Sequence, residues 1–296
     1  MNVGIVGLGL MGGSLGRALV AKTDCTVFAC DRDDEAMLKG GLLKAYHEEL
    51  TEKSAKELDI LVLAVLPSAM EDIMERFLPL LHDGAIVTDV AGVKRPVVAL
   101  MKRFAKRFPA LEFVGGHPMA GREFSGVAHS TAGLYENSSV LLVPVSASLE
   151  ALAALKKMYV AVGAEGVLIT DADDHDEMIA YTSQLAHVVS SAYVRSASAD
   201  RHYGYSAGSF RDMTRVARMN AGMWTELMRD NADNLSREIR SMAARMTEYA
   251  DALDGGDDEA LFRLLDAGNR TKLAVEKDRQ KKLQNALNGD HDIKTE

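Results

Sequence analysis

Three glycines near the start of the chain have the spacing that a bound pyrophosphate requires. Gly7, Gly9 and Gly12 follow the apolar run 3–6, and a helical pattern begins directly after them. The first glycine allows a tight bend, the second lets the backbone approach a pyrophosphate, and the third lets helix and strand pack closely. Asp31 ends a second apolar run nineteen residues after Gly12, where an acidic side chain can bind ribose hydroxyls. The combination predicts a dinucleotide site, because a purely structural glycine turn would leave Asp31 unexplained.

The acidic residue also indicates which dinucleotide binds. A carboxylate at position 31 repels a 2′-phosphate, so NAD is predicted over NADP, while the adjacent Arg32 could accommodate that phosphate or stack on adenine. Dinucleotides bind across the carboxyl ends of parallel strands, so residues that follow other strands should also contact the cofactor. The predicted cofactor contacts are Gly7, Gly9, Leu10, Met11, Gly12, Asp31, Arg32, Val65, Pro67 and Asp89.

His117 is the histidine best placed to transfer a proton. It lies between Gly116 and Pro118 at the end of a predicted strand, where a rigid loop can hold the imidazole against a ligand. The ordinary pKa of histidine, about 6.5, suits proton abstraction near neutral pH. Other histidines have polar or turn-like surroundings and are predicted to lie at the surface: His47, His82, His129 and His202.

Neither the histidines nor the cysteines indicate a metal site. His175 stands within the acidic run 173–176, which we interpret as the solvated start of a helix. Cys25 and Cys30 lie on one predicted strand, about 16 Å apart along it, which is too far for a disulfide. Because no cluster has the spacing of metal ligands, no metal is predicted.

The elements that must position these residues alternate between strand and helix through the first half of the chain. The run 58–65 is almost wholly apolar, as expected of a strand buried on both faces of a parallel sheet. We predict an α/β fold: an N-terminal Rossmann-type, doubly wound, mainly parallel sheet in residues 1–170, followed by an all-helical domain. The predicted strands are at 2–6, 25–30, 59–65, 85–89, 111–114, 140–145 and 166–169.

After Thr170 the pattern becomes helical. One series of apolar residues recurs at alternating spacings of four and three: Met228, Ala232, Leu235, Ile239, Met242, Met246, Tyr249 and Leu253. A seam with this period of about 3.5 residues packs against other helices, either of the same subunit or, as we favour, of a partner subunit. The sequence predicts an all-helical substrate and dimerisation domain at 171–290 and a polar tail at 291–296.

Composition excludes several classes of function. The chain has 296 residues, 47% of them apolar, which suffices for two domains. Its net charge of −9 argues against a general nucleic-acid-binding protein. It has no apolar run long enough to span a membrane and no signal-peptide pattern at the N-terminus. We therefore predict a cytoplasmic protein that binds neither nucleic acid nor membrane.

One loop carries a specific resemblance. Residues 115–121 read Gly-Gly-His-Pro-Met-Ala-Gly, and with Glu123, Ser125 and Gly126 they resemble the signature loop of the prephenate/arogenate dehydrogenase family of tyrosine biosynthesis. The N-terminal Gly-x-Gly-x-x-Gly-Gly-Ser-Leu motif agrees with that family in order and spacing, and so do segments 183–187 and 210–224. The resemblance covers nearly the whole chain. It implies a Rossmann domain followed by a helical dimerisation domain, and hence a homodimer.

The resemblance implies an NAD-linked oxidation of the ring hydroxyl of prephenate, coupled to loss of the ring carboxylate, which gives 4-hydroxyphenylpyruvate. His117 matches the family's catalytic histidine and would take or share the hydroxyl proton. Arg215 matches the arginine that holds the ring carboxylate, a task suited to a planar bidentate donor. His187 matches a second histidine of the substrate pocket. Asp89 would lie on the nicotinamide side of the cleft, or only cap the next turn.

Three positions depart from the family pattern, and one of them is Arg122, which replaces a smaller polar residue beside the signature loop. Gly92 stands where the family often has a serine that bonds both the substrate hydroxyl and the catalytic histidine, and Gln184 replaces the first histidine of the helical motif. Glu123 or Asp212 could bind a substrate ammonium group, or they could instead orient Arg215 or Arg211. Arogenate, which carries an amino group where prephenate has a keto group, therefore stays an alternative substrate. The predicted substrate contacts are Gly92, Glu123, Gln184, His187 and Arg211.

Two other functions fit part of the pattern. A β-hydroxyacid dehydrogenase has a similar glycine loop and a helical second domain, but it would use a lysine early in the helical half, and the sequence has none there. A non-catalytic NAD(H) sensor would need the glycine loop but neither His117 nor Arg215. We therefore favour oxidation of prephenate, with arogenate (cyclohexadienyl) oxidation as the alternative.

Overall fold

A computed structural model of the chain describes residues 1–287, with side chains for residues 1–278. The predicted polar tail, 291–296, lies outside the described residues. None of the described helices is long and apolar enough to cross a membrane.

The described residues form one eight-stranded sheet in the order β3-β2-β1-β4-β5-β6-β7-β8. Neighbouring strands are parallel except β6 and β7, which are antiparallel. The Rossmann-type, mainly parallel sheet that the sequence predicts is confirmed. The strands are β1 Asn2–Val6, β2 Thr26–Cys30, β3 Glu48–Glu49, β4 Ile60–Leu63, β5 Ile86–Asp89, β6 Glu112–Pro118, β7 Ser139–Ser146 and β8 Gly166–Ile169.

Two strands differ from the prediction. β3 was not predicted, since it consists of two exposed glutamates and has no apolar pattern. β6 begins near the predicted position but continues to Pro118, because the antiparallel partner β7 extends its pairing. His117 therefore lies within a strand, opposite Leu141, and not in a loop. The backbone that carries His117 is held by the sheet.

Helices cover both faces of the sheet. On one face, α1 and α6 pack Leu15 and Leu155 into a core with the strands. On the other, α4 and α5 contribute Met74 and Phe104 to a second core. The helices of this part are α1 Leu10–Lys22, α2 Asp34–Leu42, α3 Glu52–Ala55, α4 Pro67–Phe77, α5 Arg95–Arg107 and α6 Leu149–Ala161. Because helices cover both faces of the sheet, we expect the functional residues at its open carboxyl edge.

After β8 the described chain is helical. A π-helical segment, Ala180–Gln184, joins α7 to α8, and one extra residue in such a turn changes the direction in which the following side chains point. The helices are α7 Ala172–Ile179, α8 Leu185–Val194, α9 Gly208–Thr214, α10 Ala221–Asp230, α11 Ala232–Asp254 and α12 Asp258–Leu287.

The chain divides into two compact units, residues 1–236 and residues 237–296. The first contains the sheet, its covering helices and the helices α7 to α10. In the second, the Tyr249 hydroxyl of α11 donates to the Leu264 carbonyl oxygen of α12 at 3.2 Å. Of the predicted seam, Leu235 in the first unit is buried, whereas Met246 and Leu253 in the second are exposed. Other exposed apolar side chains of the second unit are Phe262, Leu265, Leu273 and Val275.

Candidate active site

Two of the three glycines in the turn have neighbours so close that a side chain would not fit. Gly7 has φ +100°, and a Cβ on it would overlap the Ala64 carbonyl oxygen. A Cβ on Gly12 would overlap the carbonyl oxygen of Gly7. Gly9 differs, because nothing lies within 4 Å of the position its Cβ would take. Gly9 is the N-cap of α1 and has no side-chain cap, so the first N–H groups of the helix face open space. This cradle fits a pyrophosphate.

Asp31 is fixed beside that cradle. One carboxylate oxygen accepts the N–H of Leu8 at 2.6 Å, and the other accepts the N–H of Asp33 at 3.0 Å. Each carboxylate oxygen can accept a second hydrogen bond, which leaves capacity for ribose hydroxyls. The carboxylate is therefore positioned before any ligand binds.

One cleft of about 1330 Å³ within the first unit joins this end to His117 and Arg215. Three predicted contacts do not line it, namely Gly12, Asp89 and Arg211. Gly12 serves the turn described above, and Arg211 lies on α9 outside the cleft. The predicted residues that do line it are Gly7, Gly9, Leu10, Met11, Asp31, Arg32, Val65, Pro67, Gly92, His117, Glu123, Gln184, His187 and Arg215.

His117 begins a chain of hydrogen bonds. Its Nδ1 lies 2.8 Å from Nε2 of His175, and Nδ1 of His175 lies 2.7 Å from Oδ1 of Asp176. An ionised carboxylate only accepts, so His175 carries its proton on Nδ1 and accepts at Nε2. His117 then donates from Nδ1, which leaves its Nε2 unprotonated. That atom lies near Gly92 on the cleft wall, 3.9 Å from the position of a Cβ built there.

Asp176 anchors the chain. Its carboxylate accepts the backbone N–H groups of Lys94, the N-cap of α5, at 2.7 Å and of Arg95, the first residue of α5, at 2.9 Å. It also accepts the Arg95 side chain at 3.3 Å. Although burial opposes ionisation, the bonds from His175, Arg95 and Lys94 lower the pKa of Asp176. Asp176 therefore stays a carboxylate and fixes the tautomer of His175.

The two imidazoles are neutral. Burial is the main cause that lowers the pKa of His117 well below its ordinary value of 6.5, and the repulsion that a protonated His117 would meet from His175, were it charged, and from Lys94 adds to it. Burial also lowers the pKa of His175, against the opposing effect of its bond to Asp176. Nε2 of His117 is thus available as a proton acceptor at neutral pH.

The interpretation of His175 as part of a solvated helix start was wrong. The side chain is 2% exposed, since His175 and Ile179 lie one helical turn apart on the inward face of α7. That spacing in the sequence was the available signal, and the surrounding aspartates obscured it. No group of three or more His, Cys, Asp or Glu side chains in the described residues is arranged to hold a metal ion.

Asp89 does not line the cleft, so its assignment to the cofactor is corrected to the alternative, a cap on the turn that follows β5. The side chain is fully buried, and its oxygens accept the N–H groups of Ala91 at 2.8 Å and Gly116 at 2.9 Å and form an ion pair with Lys94. A buried carboxylate needs such partners. Asp89 therefore links the turn after β5 to Gly116 of β6, the residue that precedes His117.

The opposite end of the cleft carries the predicted substrate residues. Arg215 forms an ion pair with Glu123. Nδ1 of His187 lies 2.8 Å from the Val216 carbonyl oxygen, and the His187 ring packs on Trp224 with centroids 3.9 Å apart. A carbonyl only accepts, so His187 donates from Nδ1 and offers Nε2 as an acceptor.

Gln184 borders the cleft, but its amide is turned away from it. The amide nitrogen donates to the Leu227 carbonyl oxygen at 3.0 Å, and the amide oxygen accepts from Asn231 at 2.9 Å. The residue is 1% exposed. Its predicted role in binding substrate is therefore corrected to holding the helices that line the site.

Comparisons with known proteins match this architecture. Residues 15–168 match the family described as "Prephenate dehydrogenase, nucleotide-binding domain", and residues 171–267 match "Prephenate dehydrogenase, dimerization domain". A prephenate dehydrogenase of Lactococcus lactis is 28% identical over 92% of this chain and 77% of its own length. A cyclohexadienyl dehydrogenase of Zymomonas mobilis is 28% identical over 94% of this chain and 97% of its own.

Solved structures agree. A crystal structure of prephenate dehydrogenase from A. aeolicus, in complex with hydroxyphenyl propionate and NAD+, is 26% identical, with a TM-score of 0.79. The match covers 93% of this chain and 98% of that one. The two family models match in chain order, the first over the sheet and the second over the helical region. The chain therefore belongs to the prephenate dehydrogenase family.

Proposed function

We propose that this protein is an NAD-dependent prephenate dehydrogenase, which oxidises and decarboxylates prephenate to 4-hydroxyphenylpyruvate. The observation that carries the proposal is the hydrogen-bond chain from Asp176 through His175 to His117. It presents an unprotonated Nε2 in the same cleft as the glycine cradle and Arg215. A base, a dinucleotide cradle and a carboxylate-binding cation are the parts that this reaction requires.

His117 performs the proton transfer. Nε2 accepts the proton of the ring hydroxyl as that carbon is oxidised, and the resulting imidazolium is stabilised through His175 by the Asp176 carboxylate. NAD, which the glycine cradle and Asp31 would hold, would supply the acceptor for the hydride that leaves the same carbon. Carbon dioxide then leaves the ring, its bonding electrons restore aromaticity, and the oxygen becomes a phenolate that takes the proton back from His117. The imidazole therefore ends the cycle as it began.

Arg215 binds the ring carboxylate at the opposite end of the substrate. Its guanidinium has five donors, so it can retain Glu123 while it binds a second carboxylate. His187 lines the same cleft, and its unprotonated Nε2 adds an acceptor beside the substrate. Asp31 selects NAD over NADP, since its fixed carboxylate meets the ribose hydroxyls and repels a 2′-phosphate.

The helical part completes the assembly. We propose a homodimer, which the match to a dimerization domain at residues 171–267 and the exposed apolar side chains of α11 and α12 both support. Because substrate and cofactor are small cytosolic metabolites, we place the enzyme in the cytoplasm. A β-hydroxyacid dehydrogenase is disfavoured, since the described residues that line the cleft from position 171 onward include no lysine.

The test is a comparison of rates with the purified enzyme. Prephenate and arogenate are each supplied with NAD and with NADP, and the reduced cofactor is followed by its absorbance. We expect the highest kcat/KM with prephenate and NAD. Reduction of NAD by 3-hydroxyisobutyrate, with no reaction of either cyclohexadienyl substrate, would overturn the proposal.

A further inference from the structure

Three arginines meet at the substrate end of the cleft with one carboxylate between them. Arg122, Arg215 and Arg218 all line this end, and Glu123 is the acidic residue that lines it with them. Glu123 pairs with Arg215, and the Arg122 charge also helps to lower its pKa, after a backbone N–H and Arg215. Two positive charges are left in excess. A ligand with two negative charges would neutralise them.

Arg218 is held in place without a carboxylate. Its guanidinium carbon lies 5.4 Å from the centroid of the Phe124 ring, and that ring stacks on His129 with centroids 4.9 Å apart. Within the described residues, Arg218 has no acidic side chain within 4.0 Å. Since the part of the chain that the structure describes supplies no hydrogen-bond acceptor to this guanidinium either, its N–H groups are free to donate to a ligand. Arg218 is therefore held against Phe124 and can donate two hydrogen bonds to a carboxylate.

We propose that Arg218 binds the carboxylate of the substrate's three-carbon side chain while Arg215 binds the ring carboxylate. This inference rests on the proposed function. In prephenate, both carboxylates project from the ring carbon opposite the hydroxyl. When the hydroxyl meets His117, both are therefore directed toward the end that carries the arginines. Two arginines that face two carboxylates fit this substrate in charge and in geometry.

The same arrangement determines the class of side chain. An α-amino acid side chain brings an ammonium group that needs an acceptor, and the carboxylate of this end, Glu123, is already bound to Arg215. Asp212 does not line the cleft. An ammonium would also stand beside Arg218 and be repelled by it. The site is thus built for a keto acid, and prephenate is preferred to arogenate.

The test uses a ligand that carries only one of the two carboxylates. 4-Hydroxyphenylpyruvate has the side-chain carboxylate but no ring carboxylate, so its inhibition constant reports on Arg218 alone. We expect Arg218→Gln to raise that constant about tenfold, the usual loss for a charge-assisted bidentate contact. Arg215→Gln should change it little, yet raise KM for prephenate. Arg195→Gln, which removes an exposed charge outside the cleft, is the matched control.

The ratio of kcat/KM for prephenate to that for arogenate gives a second measurement. We expect it to exceed one in the wild type and to fall in Arg218→Gln, with NAD affinity unchanged as evidence of an intact fold. Equal inhibition by 4-hydroxyphenylpyruvate in the wild type and Arg218→Gln would overturn the assignment of Arg218, even where prephenate is oxidised. Absence of activity on both substrates in the wild type would instead refute the proposed function.

Discussion

The two ends of the cleft are built by different means. At the cofactor end, the shape comes from backbone, where Gly7 and Gly12 admit close contacts and Gly9 leaves an opening at the start of α1. At the reaction end, the proposed function depends on side chains that come from positions 117, 175, 176 and 215. A backbone cradle is encoded within about thirty consecutive residues. A side-chain constellation exists only after distant segments pack.

At the reaction end, the largest effect is expected from His117→Asn. Loss of a positioned general base lowers kcat by about 10²–10⁴-fold, while NAD binding at the backbone cradle should be unchanged. Single-turnover kinetics and NAD titration measure the two quantities separately. His82→Asn, an exposed histidine outside the cleft, is the control. Near-wild-type turnover of the asparagine variant would show that His117 only shapes the strand.

The second test separates the orientation of the base from its presence. Asp176→Asn replaces a carboxylate, which only accepts, by a neutral amide that both donates and accepts, so the tautomer of His175 is no longer fixed; kcat should fall by about 10-fold or more, and NAD affinity should be unchanged. Asp233→Asn is a close control, because Asp233 also pairs with Arg95 but does not touch His175. Equal effects of the two variants on kcat would mean that Asp176 acts only through the Arg95 network.

Two alanine substitutions, Gly7→Ala and Gly9→Ala, separate the stability of the glycine turn from cofactor binding at the cofactor end. Gly7→Ala should destabilise the fold by about 1–3 kcal/mol, because it places a side chain at φ +100° and against a carbonyl oxygen. Gly9→Ala meets no neighbour and should leave the unfolding free energy within about 0.5 kcal/mol of wild type, yet weaken NAD binding. Denaturant unfolding and NAD titration measure the pair. Similar stabilities would contradict the assigned difference.

The pH dependence follows from the lowered pKa of His117. The base must be neutral, and its pKa lies well below 6.5, so kcat should hold through pH 6.5 and decline only at more acidic values. Stability should respond earlier. Unfolded histidines take up protons near their ordinary pKa, about 6.5, so the unfolding free energy should decrease from there downward. A kcat profile with its acidic midpoint at or above 6.5 would contradict the buried environment of His117.

The smallest effect is expected from Gly92→Ser. A Cβ at Gly92 would lie 3.5 Å from Leu227 and 3.9 Å from Nε2 of His117, both ordinary contacts. The hydroxyl would therefore reach the base, share the substrate's hydroxyl proton and raise kcat by up to about fivefold. Gly92→Ala, which adds the carbon without the hydroxyl, is the control. A gain in both variants would point to packing and not to the hydroxyl.

The difference between the two ends also explains what the sequence could predict. The glycines and Asp31 form a local pattern with a mechanical cause, and the alternating apolar runs predict the main strands. β3 could not be predicted, since Glu48 and Glu49 pair through backbone alone. Signals that depend on one residue and its neighbours were thus recoverable.

Roles set by partners distant in sequence were not recoverable. Asp89 ends β5, where a cofactor contact would stand, but the buried Lys94 forms an ion pair with it in the interior. His175 and Asp176 stand in an acidic run, and only their packing against β6 and α5 gives them a function. Gln184 occupies the position of a family histidine, yet its amide bonds to Asn231 instead of facing the cleft. The site residues remain predictions that the variants above can test.

The Asp176 contacts determine when, during folding, the imidazoles of the proposed active site are in place. The same carboxylate caps the start of α5 and orients the imidazoles, although it lies 82 residues away from Lys94 along the chain. A nascent polypeptide that had made the sheet but not yet α7 would lack both the cap and the oriented base. Competence for proton transfer by His117 therefore arrives only once α7 has packed against β6 and the start of α5.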